Sequence, residues 1–322
     1  MQSPKALYII VPCYCEEEVL PITADTLREK ISSLKTQGLV SGESRVVFVN
    51  DGSSDRTWEI ISQLHQNEPE LFSGIDLSRN FGHQNAVLAG LMTVRELCDM
   101  AITMDADLQD DVDAVDEMVK RFYEGNQVVY GVRSARKTDT FFKRFTAESF
   151  YKFMKAMGTD VVYNHADFRL MSARVINELA QYQEVNLFLR GLVPLIGFKS
   201  CNVYYERKTR AAGESKYPLG KMLSFAVNGI TSFSTKPLKL ITSIGFFMFI
   251  ISLAAFIWAF VVKIIGHSEL GWSSTMCSIW LIGGLQLLCL GIIGEYVGKI
   301  YSEVKHRPRF TVAEFLNKSD DK

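Results

Sequence analysis

Neither sign of charge prevails in this chain. Thirty-five Lys and Arg face 36 Asp and Glu, a formal net charge of −1 over 322 residues. General nucleic-acid binders carry a basic excess, so no nucleic-acid partner is expected. Paired cysteine motifs are missing as well: the six cysteines (13, 15, 98, 201, 277, 289) form no Cys-x-x-Cys. Cys13-x-Cys15 lacks the second pair that a zinc site needs, and all six read as reduced thiols of a cytoplasmic compartment. The five histidines show no metal-ligand spacing, and only His83 is placed to approach a substrate. Met1-Gln2-Ser3-Pro4-Lys5 leads into a strand-like segment, not into a basic region with an apolar core, so no signal peptide is expected. No internal repeat, low-complexity segment or disordered linker stands out. With 48% hydrophobic and 22% charged residues, the chain can bury a large core, and its length allows about two domains.

Charge is also absent from two long stretches near the end. Residues 240–262 and 271–294 contain no charged side chain. They account for a mean hydropathy of +0.07, high for a wholly soluble protein. About 20 apolar residues cross the hydrocarbon core as a helix, so two transmembrane helices are expected; the alternative is a buried hairpin in a soluble domain. Lys236 and Lys239 precede the first stretch, and Lys299, Lys305, Arg307 and Arg309 follow the second. The intervening loop holds only Lys263 and Glu269. The positive-inside rule then predicts a multi-pass protein of the plasma membrane with both termini and the N-terminal domain in the cytoplasm.

Before those stretches, short apolar runs alternate with helical patterns. Strands are expected at 6–11, 45–50, 72–77, 100–104 and 127–132, and again at 168–172 and 200–207. Val112, Val115, Met118, Val119 and Phe122 are spaced to line one face of a helix. This alternation implies a mostly parallel sheet with helices on both sides, whose ligands bind beyond the carboxyl ends of the strands. An aromatic and basic helix is expected over 139–157. From 219 to 233 the apolar positions fall at helical spacing, which suits a helix lying at the membrane interface or packed on the preceding domain.

Polar residues follow the strands where that architecture needs them. After the fourth strand comes Asp105-Ala106-Asp107-Leu108-Gln109-Asp110. Two carboxylates at this spacing suit Mg²⁺ or Mn²⁺, which can also bind substrate phosphate oxygens, although a solvated acidic turn has the same pattern. The first strand ends in Pro12-Cys13-Tyr14-Cys15-Glu16-Glu17 and the second in Asn50-Asp51-Gly52-Ser53-Ser54-Asp55. A carboxylate after a strand can accept hydrogen bonds from a nucleotide's base or ribose. The same loop can also be a turn in which Ser53, Ser54 or Asp55 caps the next helix.

Together these motifs resemble the family 2 glycosyltransferases of GT-A fold, and among them the polyprenyl-phosphate type: bactoprenol glucosyltransferase and dolichyl-phosphate mannose synthase. The resemblance runs through Val11-Pro12-Cys13-Tyr14-Cys15-Glu16-Glu17, Asp51-Gly52-Ser53, Ser78-Arg79-Asn80-Phe81-Gly82 and Asp105 to Asp110. It continues through Asp167-Phe168-Arg169-Leu170-Met171 and from Arg207-x-x-Arg210 into Gly213-Glu214-Ser215-Lys216-Tyr217. Cys15 stands where the family has Asn, and Asn50 where many members have Asp.

The resemblance implies a GT-A catalytic domain, Rossmann-like with a mostly parallel sheet, over 1–217. An amphipathic juxtamembrane helix would follow over 218–237, two C-terminal transmembrane helices within 238–296, and a cytoplasmic tail over 297–322. It implies inverting transfer of a sugar, with glucose from UDP-glucose expected, to undecaprenyl phosphate. The metal set would be Asp105, Asp107 and Gln109, with Asp107 and Asp167 catalytic. Pro12, Tyr14, Glu16, Asp51, Ser78, Asn80, Asp105, Ala106, Arg210 and Lys216 would bind the nucleotide sugar. Arg133, Arg136, Lys143 and Arg144 would hold the acceptor phosphate, because guanidinium geometry matches phosphate. A separate flippase would carry the product across the membrane, and a homo-oligomer remains open. Processive polysaccharide synthases are a rival, but none of the four tryptophans follows Arg as their Gln-x-x-Arg-Trp motif requires. A silent nucleotide-binding scaffold is another rival, and the intact Asp105-x-Asp107-x-Gln109 speaks against it.

Overall fold

The structure is a computed structural model that describes residues 3–134, 165–185, 189–206, 236–265 and 271–318. The chain divides into two compact units: the described residues up to 206 together with 307–318, and those between 236 and 306.

In the first unit, eight strands form one sheet: β1 (Leu7–Cys13), β2 (Arg45–Asn50), β3 (Phe72–Leu77), β4 (Met100–Thr103), β5 (Val128–Arg133), β6 (His165–Ser172), β7 (Ser200–Tyr205) and β8 (Val312–Leu316). Their order is β7-β5-β6-β4-β1-β2-β3-β8. β1 pairs in parallel with β2 and β4, β2 with β3, and β5 with β7; β6 runs antiparallel to both β4 and β5. All seven positions of β1 and all six of β2 are buried, as expected of parallel strands covered on both faces. The covering helices are α1 (Leu20–Thr36), α2 (Thr57–Asn67), α3 (His83–Val94), α4 (Ala114–Tyr123), α5 (Ala173–Leu179) and α6 (Leu189–Leu195). Val115, Met118 and Val119 of α4 are fully buried, so the stripe read from their spacing faces the core. Phe48 and Phe72 stack with ring centroids 5.9 Å apart, and α3 rides close on the sheet: a Cβ on Gly90 would lie 2.4 Å from Ile10 Cγ2.

The seven expected strands form within a few residues of their expected bounds. An eighth was not anticipated. Residues 297–322 were expected as a tail, yet β8 pairs antiparallel with β3 along the sheet edge. The Ser78 N–H donates to the Thr311 carbonyl at 3.0 Å, and Arg45 NH1 donates to Asn317 Oδ1 at 3.0 Å.

The second unit contains α7 (Lys236–Ile265) and α8 (Trp272–Val304), 30 and 33 residues long. The expected pair of transmembrane helices is corrected to this extent: no helix is long and apolar enough, among the described residues, to cross a membrane. The expected helices over 139–157 and 219–233 lie outside the described residues.

A sheet edge without a partner exposes a row of unpaired N–H and C=O groups. Deletion of residues 307–322 should therefore lower the thermal midpoint, by about 2–4 °C per kcal/mol lost in a domain of this size, and promote aggregation. Thermal scans and light scattering on the full and shortened chains check this; coincident midpoints would make β8 dispensable.

Candidate active site

Two loops meet at the carboxyl ends of β1 and β2, and backbone amides bind them together. The Cys15 N–H donates to Ser53 Oγ (2.9 Å), the Glu16 N–H to Thr57 Oγ1 (3.0 Å) and the Glu17 N–H to Asp55 Oδ2 (3.3 Å). In return the Arg56 N–H donates to Glu17 Oε2 at 3.1 Å. Cys15 has φ 54°, in the left-handed region that Asn tolerates better than most residues, which explains the family's usual Asn there. Asn50 also has a local reason. Its Nδ2 donates to Asp76 Oδ1 at 2.7 Å, where an Asp would set two carboxylates against each other.

Asp51 is buried, and its two oxygens accept the N–H groups of Phe81 (2.7 Å) and Gly82 (2.9 Å). Burial raises its pKa in spite of those two bonds. Asp51, expected at the nucleotide, also fixes the 78–82 loop. Gly52 completes the junction, since at φ 64° any Cβ would fall 2.4 Å from the Arg79 carbonyl carbon.

The chemistry gathers one strand further along. Because β6 runs antiparallel to β4, with Thr103 opposite Arg169, the start of β6 lies beside the end of β4. Asp167 thereby joins the 105–110 segment, and the Thr103 hydroxyl donates to its carbonyl. Arg169 NH2 donates to Asp167 Oδ1 at 2.8 Å, and Arg190 of α6 grips both oxygens, Nε to Oδ1 and NH2 to Oδ2, each at 3.1 Å. Burial pushes the Asp167 pKa upward, but the neighbouring His83 imidazole and the two guanidinium charges prevail and hold it well below the usual carboxylate range. His83 Nε2 lies 3.5 Å from Asp105 Oδ1 and 3.6 Å from Asp167 Oδ2. Burial opposes its protonation; the nearby carboxylates of Asp167 and Asp105 outweigh that and raise its pKa.

Asp105 behaves in the opposite way to Asp167. Burial raises its pKa, and Asp110, Asp167 and Asp107 add to this against the pull of His83, taking it to about 6. Asp110 is almost fully buried. Its Oδ1 accepts from Arg133 NH2 at 3.0 Å and from the Tyr205 hydroxyl, while Oδ2 has no hydrogen-bond partner among the described residues. Arg133, expected at the acceptor phosphate, is thus tethered to the acidic segment itself.

No group of three or more His, Cys, Asp or Glu side chains forms a metal cluster among the described residues. The donors present nevertheless fit a divalent cation. Asp105 is pushed toward protonation by burial and by neighbouring carboxylates, and a hard cation held by one or two carboxylates takes its remaining ligands from substrate phosphates and water. Asp107 Oδ1 accepts the Gln109 N–H at 3.2 Å, which orders the turn carrying both.

The other expected residues spread over these loops. Pro12 and Ala106 are buried, Tyr14, Ser78 and Asn80 are exposed, and Glu16 is half-buried. Arg136, Lys143, Arg144, Arg210 and Lys216 lie outside the described residues. Arg190 escaped the sequence reading because it belongs to none of the motifs. The only signal was a lone Arg in the apolar run Leu187-Phe188-Leu189-Arg190-Gly191-Leu192, which must find an anion if buried.

The pattern of glycosyl transferase family 2 matches residues 8–180. The chain belongs to that family. This family 2 glycosyltransferase also matches the GtrB C-terminal hairpin over 236–300. The glycosyltransferase YkoT of Bacillus subtilis (strain 168) is 51% identical over 311 residues, covering 97% of this chain and 92% of its own. The bactoprenol glucosyl transferase of Shigella phage SfV is 38% identical over 306 residues, 94% of this chain and 97% of its own. Solved structures align more loosely. Glucosyl-3-phosphoglycerate synthase from Mycobacterium tuberculosis has 17% identity and a TM-score of 0.43, over 70% of this chain and 78% of that one, too little to carry residue roles across.

The Asp105 shift makes a stability prediction for this glycosyltransferase. Its carboxyl is harder to ionise folded than unfolded, so a penalty on folding builds from about pH 4 until the folded group ionises near pH 6. Asp105→Asn removes that penalty. In EDTA, the variant's gain in thermal midpoint should vanish below about pH 4, grow toward pH 6 and stay level above it. A gain independent of pH would contradict this assignment.

Proposed function

We propose that this enzyme transfers a sugar, with inversion, from a nucleotide sugar to a polyprenyl phosphate. UDP-glucose is the preferred donor in this reading and undecaprenyl phosphate the acceptor. The observation that carries it is the acidic site at the end of β4, where Asp105 is buried facing His83 and feels the charges of Asp110, Asp167 and Asp107, a setting in which a cation shared with a diphosphate would be stabilised. The acceptor class is supported by the likeness to bactoprenol glucosyl transferase along nearly the whole of both chains.

An isoprenoid phosphate is anionic near neutral pH, so its oxygen needs positioning more than deprotonation to attack the anomeric carbon. Asp105 and Asp107, with Gln109 in support, are the residues to hold Mg²⁺ or Mn²⁺, which when bound neutralises charge developing on the departing diphosphate. Tyr14, Glu16, Ser78 and Asn80 line the donor side, with Pro12, Asp51 and Ala106 shaping the wall behind them. Arg210 and Lys216 serve the diphosphate. Arg133, Arg136, Lys143 and Arg144 serve the acceptor phosphate, Arg133 as a cation already fixed by Asp110 and Tyr205. The enzyme works at the plasma membrane in this reading, and the lysines and arginines that flank α7 and α8 favour the cytoplasmic side for the catalytic unit. The product is then substrate for a separate flippase.

Full-length enzyme in detergent, undecaprenyl phosphate and a panel of radiolabelled nucleotide sugars test the reading. UDP-glucose should label the lipid most strongly. Asp107→Ala should reduce transfer by at least about 10²-fold, the scale of losing one charge-stabilising group. Undiminished transfer by that variant in excess EDTA overturns the metal assignment, and absence of any lipid product overturns the acceptor.

Topology has its own test. Cys15 is exposed, and a side chain at Gly42 meets no atom within 4 Å. In intact cells a membrane-impermeant thiol reagent should label neither Cys15 nor an introduced Gly42→Cys until the membrane is permeabilised. Labelling beforehand reverses the orientation.

A further inference from the structure

We propose that Arg190 is the positioning residue of this active site, holding Asp167 as a fixed anion. This rests on the sugar-transfer reading, and deepens it by assigning Asp167 to orientation and counter-charge, with no proton acceptance.

The geometry is a two-point grip. Arg190 Nε and NH2 donate one to each Asp167 oxygen at 3.1 Å, the fork arrangement that sets a carboxylate plane as well as its position. A single contact would leave the carboxylate free to turn about its χ2. Arg169 adds the third bond to Oδ1 from within β6, at 2.8 Å. The two arginines differ in surroundings: the Arg169 side chain is 1% exposed and that of Arg190 30%. Arg169 is therefore part of the buried core, while Arg190 closes the carboxylate from its open side.

Arg190 is itself held in place by its neighbour. The Leu189 carbonyl accepts from Arg169 NH1 at 3.2 Å, and the Leu189 N–H donates to Gln84 Oε1 at 3.0 Å. The start of α6 is thus pinned to β6 on one side and α3 on the other, and the residue that follows is delivered to Asp167. Three elements far apart in sequence converge on one carboxylate, an arrangement that a merely solubilising surface arginine does not need.

A carboxylate with three guanidinium bonds and the His83 imidazole facing Oδ2 has little basicity left, consistent with its strongly lowered pKa. The acceptor on this reading is already ionised and asks for no base. What the reaction needs from Asp167 is a constant direction of negative charge beside Asp105 and His83.

Transfer kinetics of wild type, Arg190→Ala, Arg190→Lys, Asp167→Asn and Arg190→Ala/Asp167→Asn test the proposal. Arg190→Ala should lower kcat by about 10²-fold with the donor and acceptor KM values changed less than about threefold. Arg190→Lys should recover only part of this, since an ammonium cannot make the fork. In the Asp167→Asn background, removing Arg190 should cost almost nothing more. A loss that persists in that background, or one appearing mainly as raised acceptor KM, would mean that Arg190 contacts substrate, and overturns the proposal. Thermal midpoints of the same proteins, which need no turnover, should show non-additive coupling between positions 167 and 190. Additive midpoints also overturn it. Inactivity of wild type toward every polyprenyl phosphate defeats the transfer reading alone, leaving the coupling measurement to judge the pair.

Discussion

Carboxylates crowded into a poorly solvated space repel, and they stay ionised only where each finds a compensating charge or hydrogen bond. The antiparallel pairing of β6 with β4 creates that crowding here, by setting Asp167 beside the segment that runs from Asp105 to Asp110. The compensation is uneven. Asp167 receives two arginines and faces His83, Asp110 receives Arg133 and Tyr205, while Asp105 is left to lean on His83. One carboxylate is therefore held firmly anionic, while burial and like charges raise the pKa of another. That imbalance marks where an added positive charge lowers the energy most.

The loops around this centre are stabilised by backbone groups more than by side-chain pairs. Cys15, Glu16 and Glu17 present successive N–H groups to Ser53, Thr57 and Asp55, and Asp51 takes the N–H groups of Phe81 and Gly82. Each bond made here sets the spacing between two loops that start from neighbouring parallel strands. Such a wall is preorganised: little rearrangement remains to be done when a ligand enters.

Much of this was legible in the residues. Arg45–Asn50 reads as a strand because it is short, rich in β-branched residues and apolar on both faces, as the middle of a parallel sheet demands. The Asp105–Asp110 motif announced a site through its place after a strand. β8 was not legible: Val-Ala-Glu-Phe-Leu is half exposed and neither strictly alternating nor wholly apolar, and its partner lies over 200 residues earlier. The second duty of Asp51 was not legible, because a sequence cannot show that the amides of Phe81 and Gly82 lie within reach of it. Arg190 was silent for a related reason. Its significance arises from Asp167, Gln84 and Arg169, none of which is near it along the chain.

The strand added by β8 has a consequence for biosynthesis. A ribosome delivers the chain from its N-terminus at about 5–20 residues per second, and domains tend to fold as they emerge. The first seven strands are complete once residue 205 is out, but the flank of β3 waits for residues 312–316, and all of α7 and α8 must be translated in between. For the several seconds that those roughly one hundred residues take, the nascent sheet carries an uncovered edge, the feature that most readily recruits stray strands from other chains. Messenger features that slow elongation between codons 206 and 311 would lengthen that exposure, so the yield of folded enzyme should depend on translation speed there more than anywhere earlier in the reading frame.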